Sequence, residues 1–244
     1  MRLALLLVLL LVGTARASDP SALWHIVHDR CVPNEQQHGD PAPCALVDLA
    51  AGYVVLKDIV GATQFLLLPT ARITGIESPE LLAPGAPDYM QDAWEARRFT
   101  KARAPAPLSR QDLSLAVNSV FGRSQNQLHV HIDCLRADVR DALAAHLAGI
   151  SDAWAPFPVL LAGERYIARR LVAPDLADVN PFLLLADSSP GARAHMGDYT
   201  LVVAGAVFAG KPGFVLLADR ADPVLGNFGS GEALQDHECV LARR

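Results

Sequence analysis

The stretch "QNQLHVHID", residues 125–133, sets two histidines two apart among alternating aliphatic residues, one step ahead of Cys134. A β-strand turns successive side chains to opposite faces. Gln127, His129, His131 and Asp133 therefore share one face, and Leu128, Val130 and Ile132 the other. One side suits a core and the other a site. The flanks agree with a strand: "GRSQN" supplies turn residues before it, and "LRADVRDALAAHLAGI" after it spaces Val139, Leu143, Leu147 and Ile150 as on a helix. The histidine pair by itself leaves three readings open: an ordinary exposed strand, two ligands of a metal ion, or nucleophilic catalysis by an imidazole.

Working outward, the pattern repeats. "GYVVLKD" (52–58) and "QFLLLPT" (64–70), joined by "IVGAT", read as an antiparallel hairpin. "PDYMQDAWEARRFTKAR" (87–103) spaces Met90, Ala93, Trp94 and Arg97 as a helix does, and a proline-rich break follows it. "LSLAVNSVFGRSQNQLHVHIDC" (113–134) gives two more strands, and 138–150 a closing helix. Strand, strand, helix, strand, strand, helix predicts an α+β fold on an antiparallel sheet with flanking helices. The rest holds the strand-like runs "YIARRLV", "FLLLAD", "YTLVVAG" and "GFVLLADR". Tyr199 and Phe214 begin runs that echo those beginning at Tyr53 and Phe65, which suggests a second, degenerate half. No second His-x-His occurs, so chemistry belongs to the first half. We divide the chain into an export segment (1–17), a catalytic half (18–155) and a C-terminal half packed on the same fold (156–244).

The export segment is "MRLALLLVLLLVGTARA", in which Arg2 precedes an apolar run from Leu3 to Val12 and Ala15-Arg16-Ala17 ends it. Ten apolar residues fall short of the ~20 that span a bilayer, so cleavage after Ala17 is favoured, with retention as an anchor the alternative. Loss of Arg2 and Arg16 takes the formal charge from −5 to −7. With 51% hydrophobic residues and mean hydropathy +0.23, the chain has ample material for a core. The acidic balance and the absence of a Lys/Arg-rich run argue against a nucleic-acid partner. Export also makes pairing the default for the four cysteines. Of three possible connectivities we favour Cys31–Cys44, closing the loop "CVPNEQQHGDPAPC", and Cys134–Cys239, tying the C-terminal tail to the histidine strand.

A histidine strand that follows an asparagine-bearing strand across a Gly/Ser turn resembles the histidine triad superfamily of nucleotide hydrolases and transferases. Its motif alternates three histidines with apolar residues, and here Gln127 stands in the first position, with His129 and His131 in the second and third. A narrower resemblance spans nearly the whole chain after the export segment. "CVPNEQQ", "PAPCALV", "GYVVLKD", "FLLLPTARITGIESPELL", "SLAVNS", "GRSQNQLHVHIDCLR", "YIARR", "HMGDY", "FVLLA" and "QDHEC" together resemble the bacterial CDP-diacylglycerol pyrophosphatase family.

That resemblance implies hydrolysis of CDP-diacylglycerol to CMP and phosphatidate at the outer face of the cytoplasmic membrane, the lipid and the membrane surface being the partners. No protein partner and no cofactor are implied. His129 takes the nucleophile's place, forming a cytidylyl-histidine, and His131 contacts phosphate oxygens and passes a proton to the leaving oxygen. Ser124 and Asn118 match the phosphate-contacting serine and the preceding strand's asparagine. Gln127 can orient or bind but cannot titrate. Lys57 and Arg123 are candidates for neutralising the pyrophosphate, with surface ion pairing the equal alternative. An imidazole nucleophile splits a hard hydrolysis into two displacements, and no metal is then obligatory. Two rivals stay open: a general hydrolase of nucleoside diphosphate-linked substrates, and a periplasmic metal-binding protein using His129 and His131. Arg72 and Glu77 have no derived role, nor have His25 and His28 at helical spacing, while His195 and His237 are expected to pack or hydrogen-bond.

Overall fold

The protein is described by a computed structural model covering residues 19–243. The proposed export segment lies outside those residues. Helical structure comes first: α1 (Ala22–Ile26), a π-helical turn (Val27–Cys31) and α2 (Val32–His38) run on without a break. Pro33 explains the wide turn, because proline has no amide hydrogen and its ring displaces the carbonyl four residues earlier. Cys31 bonds to Cys44, as the sequence suggests, and ties this run to the start of the sheet.

Nine strands form one sheet: β1 (Leu46–Asp48), β2 (Tyr53–Lys57), β3 (Phe65–Pro69), β4 (Leu113–Val117), β5 (Val130–Cys134), β6 (Ala155–Pro156), β7 (Ile167–Leu171), β8 (Tyr199–Phe208) and β9 (Lys211–Arg220). Their spatial order is β1-β2-β3-β5-β4-β8-β9-β7-β6, with every neighbouring pair antiparallel. The α+β reading and the antiparallel hairpin of β2 and β3 therefore hold. With the edge strand β1 set aside, β2-β3-β5-β4 and β6-β7-β9-β8 run inward alike, which places β8–β9 where β4–β5 stands in the first half. The echo between β8–β9 and β2–β3 is thus one of buried hairpin composition and not of position.

One expectation is corrected. "FLLLAD" is helix α5 (Pro181–Ser188), not a strand. Asn180 accepts hydrogen bonds from the amides of Phe182 and Leu183, and Pro181 takes the first helical turn, where its missing donor costs nothing. A short apolar run fits strand or helix equally, and here the cap decided. The other helices are α3 (Tyr89–Arg103), capped by Asp88, and α4 (Ala137–His146).

Cross-strand register defines the faces. Leu66, His131, Ala116, Val202 and Leu217 stand opposite one another on successive strands. On the other face lie Leu67, Ile132, Leu115, Val203 and Leu216, which with Trp94 of α3 and Leu185 of α5 make the largest core cluster, shared by both halves. The face carrying His131 is covered in two places. Val27 and Cys31 pack on Val54, Leu56, Leu66 and Leu68 at one end, while Val139 and Leu143 of α4 pack on Val202, Val215 and Leu217 at the other. Between these covers the face is open, and the histidines stand there.

Candidate active site

The opening is a cavity of about 460 Å³. Its lining brings together Lys57, Asn118, Arg123, Ser124, His129 and His131, six of the seven residues singled out in the sequence, and adds Glu232 from the C-terminal tail. Gln127 is the exception. It is fully buried beside the cavity, and its amide nitrogen donates to the carbonyls of Pro69 and Ala71, at 3.0 and 2.9 Å. Gln127 fastens the end of β3 to the histidine segment, helped by the bond from the Leu128 amide to the Ile73 carbonyl.

His129 immediately precedes β5 and is almost buried. Its Nδ1 lies 2.6 Å from the backbone carbonyl of Gln127. A carbonyl only accepts, so Nδ1 carries the proton and Nε2 keeps its lone pair. Burial holds the imidazole below its ordinary pKa, against the opposing pull of that carbonyl. Neutral, oriented and with a free lone pair, His129 meets the requirements of a nucleophile.

His131 is held differently. Its Nδ1 lies 3.1 Å from Glu232 Oε2 and 2.6 Å from the amide nitrogen of Gln64. Burial raises the pKa of Glu232 against the pull of Asn118; in its ionised form the carboxylate accepts only, and the proton then sits on Nδ1 of His131. A half-turn of the Gln64 amide brings its otherwise unpartnered oxygen onto the same proton. Nε2 of His131 then bears a lone pair, buried and unpartnered among the described residues. Burial, with His129 and His237 nearby, keeps His131 well below the usual imidazole range. The two rings meet edge-on, with centroids 4.9 Å apart.

Glu232 is the site residue that local sequence reasoning missed. Its Oε1 accepts from the Asn118 side chain at 3.0 Å, while its own amide donates back to Asn118 Oδ1 at 3.2 Å. Asn118 therefore positions the carboxylate that faces His131. Gly231 makes the approach possible, since a Cβ there would meet Thr200 Oγ1 at 2.4 Å and a Val202 methyl at 2.8 Å. The nearest signal in the sequence was the Gly-Ser-Gly turn just before Glu232.

Both cations already have protein partners, and for Arg123 this is the ion pairing that stood as the equal alternative. Arg123 makes a two-pronged salt bridge to Glu77, both bonds at 2.6 Å, with only 4% of its side chain exposed. That gives Glu77 its role: it fixes the 119–126 loop against the 70–78 loop. Gly75 lets the fork pass, because a Cβ there would lie 2.1 Å from the guanidinium. Lys57 donates to the carbonyls of Asp58 and Gly61, which folds the 58–62 loop back on the sheet and leaves one of its three hydrogens for a ligand. Burial lowers its pKa. Ser124 is exposed on the cavity wall, and its hydroxyl has no protein partner among the described residues.

Four of the other histidines are held by hydrogen bonds or ion pairs. Asp133, buried at the far end of the histidine face, accepts from Thr63 and from His237 Nδ1 at 2.7 and 2.8 Å. That bond raises the pKa of His237. His25 and His28 both bond to Asp29, and His195 faces Asp198. Arg72 reaches Ser21 and lies over the Trp24 ring. Among the described residues no group of three or more His, Cys, Asp or Glu is arranged to hold a metal ion.

A model of the CDP-diacylglycerol pyrophosphatase family matches residues 18–243. The chain belongs to that family. A curated CDP-diacylglycerol pyrophosphatase of Yersinia pestis is 45% identical over 240 residues, covering 97% of this chain and 92% of that protein. Membership agrees with the sequence blocks that carried the resemblance, and it extends beyond the histidine strand to Glu232 and Cys239 in the tail. Cys239 pairs with Cys134 as expected, which leaves the CDP-diacylglycerol pyrophosphatase fold of this chain closed at both ends by disulfides.

Proposed function

We propose that this chain hydrolyses CDP-diacylglycerol to CMP and phosphatidate, with His129 Nε2 as the nucleophile at the α-phosphorus. Family membership supports the substrate and the net reaction. One observation carries the mechanism: the Gln127 carbonyl takes the Nδ1 proton of a buried, neutral His129 and so turns an unprotonated Nε2 to the cavity. In the first step Nε2 bonds to the α-phosphorus and the bond from that phosphorus to the bridging oxygen breaks, so phosphatidate leaves with the oxygen. In the second, water attacks the same phosphorus, the phosphorus–nitrogen bond breaks and CMP departs.

Proton traffic falls to His131. The reading from resemblance, in which it donates to the leaving oxygen, needs a proton on Nε2, whereas contact with Glu232 favours a lone pair there. We therefore assign His131 the proton of the hydrolytic water, with Glu232 offsetting the imidazolium that forms, as a carboxylate does behind a histidine base elsewhere. A phosphate monoester is already a stable anion on departure, so acid assistance is needed less. Ser124 and the remaining Lys57 hydrogen stand as donors to the phosphoryl oxygens. Arg123 contributes a field reduced by Glu77. Residues 18–155 carry the chemistry and 156–244 supply Glu232, on a sheet of histidine triad type, at the outer face of the cytoplasmic membrane after export.

Turnover in heavy-oxygen water tests the site of attack. The label is expected in CMP and absent from phosphatidate, and quenching without acid should leave a cytidylyl group on the peptide containing His129. Label in phosphatidate would sink the mechanism outright.

A further inference from the structure

The cavity lining has two parts. One presents Asn118, Ser124, His129, His131 and Glu232; the other is mainly aliphatic, with Leu23, Ile26, Leu56 and Leu66 from one apolar cluster and Ile59 and Val60 beyond them, interrupted by Lys57 and Asp58. A nucleotide diphosphate alone would use only the first. The second continues outward to the loop 58–62, where Ile59 is 100% and Val60 50% exposed. Scattered surface aliphatics are ordinary, but these prolong a cavity wall.

The loop is also held in place. Lys57 binds two of its carbonyls, Ala62 donates to the His237 carbonyl and accepts from Arg103, and at Gly61 a Cβ would strike His237 at 2.3 Å. A tethered loop keeping an isoleucine wholly in water is built to lose that water to something else. At the same mouth, the carbonyls of Asp19 and Pro20 accept from Gln125 and Asn126, so the start of the described chain also borders this cavity.

We infer that Leu23, Ile26, Ile59 and Val60 form the path by which the acyl chains of a bilayer lipid leave the catalytic cavity, with the tip of the 58–62 loop seated in the membrane surface. This rests on the proposed reading of the substrate. The polar wall holds the pyrophosphate at His129 while the aliphatic wall leads the glycerol chains back toward the bilayer, so the lipid need not leave it fully. Apolar contact along that wall favours a substrate with chains and does nothing for one without them.

The test compares CDP-dioleoylglycerol in phosphatidylcholine vesicles with CDP-glycerol in solution, using the full chain. Ile59→Asp and Val60→Asp should each lower the ratio of lipid to CDP-glycerol turnover at least tenfold. Ile59→Trp should give an indole emission that shifts to the blue, relative to wild type, on adding phosphatidylcholine vesicles free of CDP-lipid. An unchanged ratio or an unshifted indole overturns the path. So does sedimentation without lipid in which wild type is a dimer and Ile59→Asp a monomer, because the wall would then be covered by a second copy. Wild-type inactivity on both nucleotides instead removes the substrate reading, and the path with it, and is distinguished by the wild-type rates themselves.

Discussion

His131 and Leu217 stand in the same row of one sheet face, with two strands between them, at Ala116 and Val202. Both belong to inner strands of mirrored position, and both are buried. Over Leu217 the helix after β5 lays Val139 and Leu143, and the face is closed with apolar packing. Over His131 the segment after β9 lays Glu232, and the face stays open to a cavity. Each half is thus covered by the chain leaving the other half's strands. The cover decides the chemistry: an aliphatic helix makes core, whereas a tail bringing a carboxylate and an asparagine contact makes a polar cavity.

Breaking the comparison most severely means removing the nucleophile. His129→Ala should lower turnover at least a thousandfold, about 4 kcal/mol or more of barrier, with unchanged thermal unfolding, because the side chain meets the cavity and not the core. Its counterpart, Leu217→Ala, should do the reverse: a stability loss of about 2–5 kcal/mol in denaturant titration with near-normal turnover in the folded fraction. Activity above a few per cent in the first variant, or a selective activity loss in the second, would undo the contrast between the halves.

The tail's hold can be broken separately. Cys134–Cys239 closes a loop with a sequence separation of 105, and replacing both cysteines by serine should cost about 4–5 kcal/mol. Hydrogen exchange should then quicken first in the tail that carries Glu232 and His237, and leave the β8–β9 ladder protected. Loss of protection spread evenly over the sheet would mean the tail is not a separable cover.

The smallest effect sharpens the role of Glu232. Glu232→Gln keeps the hydrogen-bonding shape and removes the charge, so turnover should fall roughly 10- to 100-fold, with the loss in the second step. A burst of phosphatidate equal to the enzyme present would reveal it; a uniform slowing without a burst would reject it. The wild-type pH profile adds a sign. A nucleophile must be neutral, His129 and His131 both lie below the ordinary 6.5, and so kcat/KM should stay level as pH falls through 6.5 and decline only at lower pH. A decline centred at or above 6.5 would contradict the burial argument.

Much of this was written locally. Alternation along 125–133 placed His129 and His131 on one face because a strand has a period of two. Apolar runs bounded by turns marked most strands, and the even cysteine count, with the expectation of export, made pairing the default and left one connectivity to be favoured among three. What failed locally failed for a physical reason. "FLLLAD" carries no period of its own, and its state was settled by Asn180 and Pro181 at its start. Gln127, on the right face and at the right spacing, turned out to fasten a loop, since alternation gives a direction and says nothing about which backbone carbonyls lie there.

By itself, then, the sequence determined the fold class and the strand that holds the imidazoles, because both follow from spacing along the chain, while its blocks carried the resemblance to the family and its cysteine count made pairing the default. Tertiary structure alone decided that Arg123 spends its charge on Glu77, that Glu232 stands behind His131, and that aliphatic residues line the same cavity as the polar ones. Those facts depend on segments far apart in the chain meeting across a sheet, and the identity of a long-range partner is set by packing and register rather than by any pattern that neighbouring residues carry.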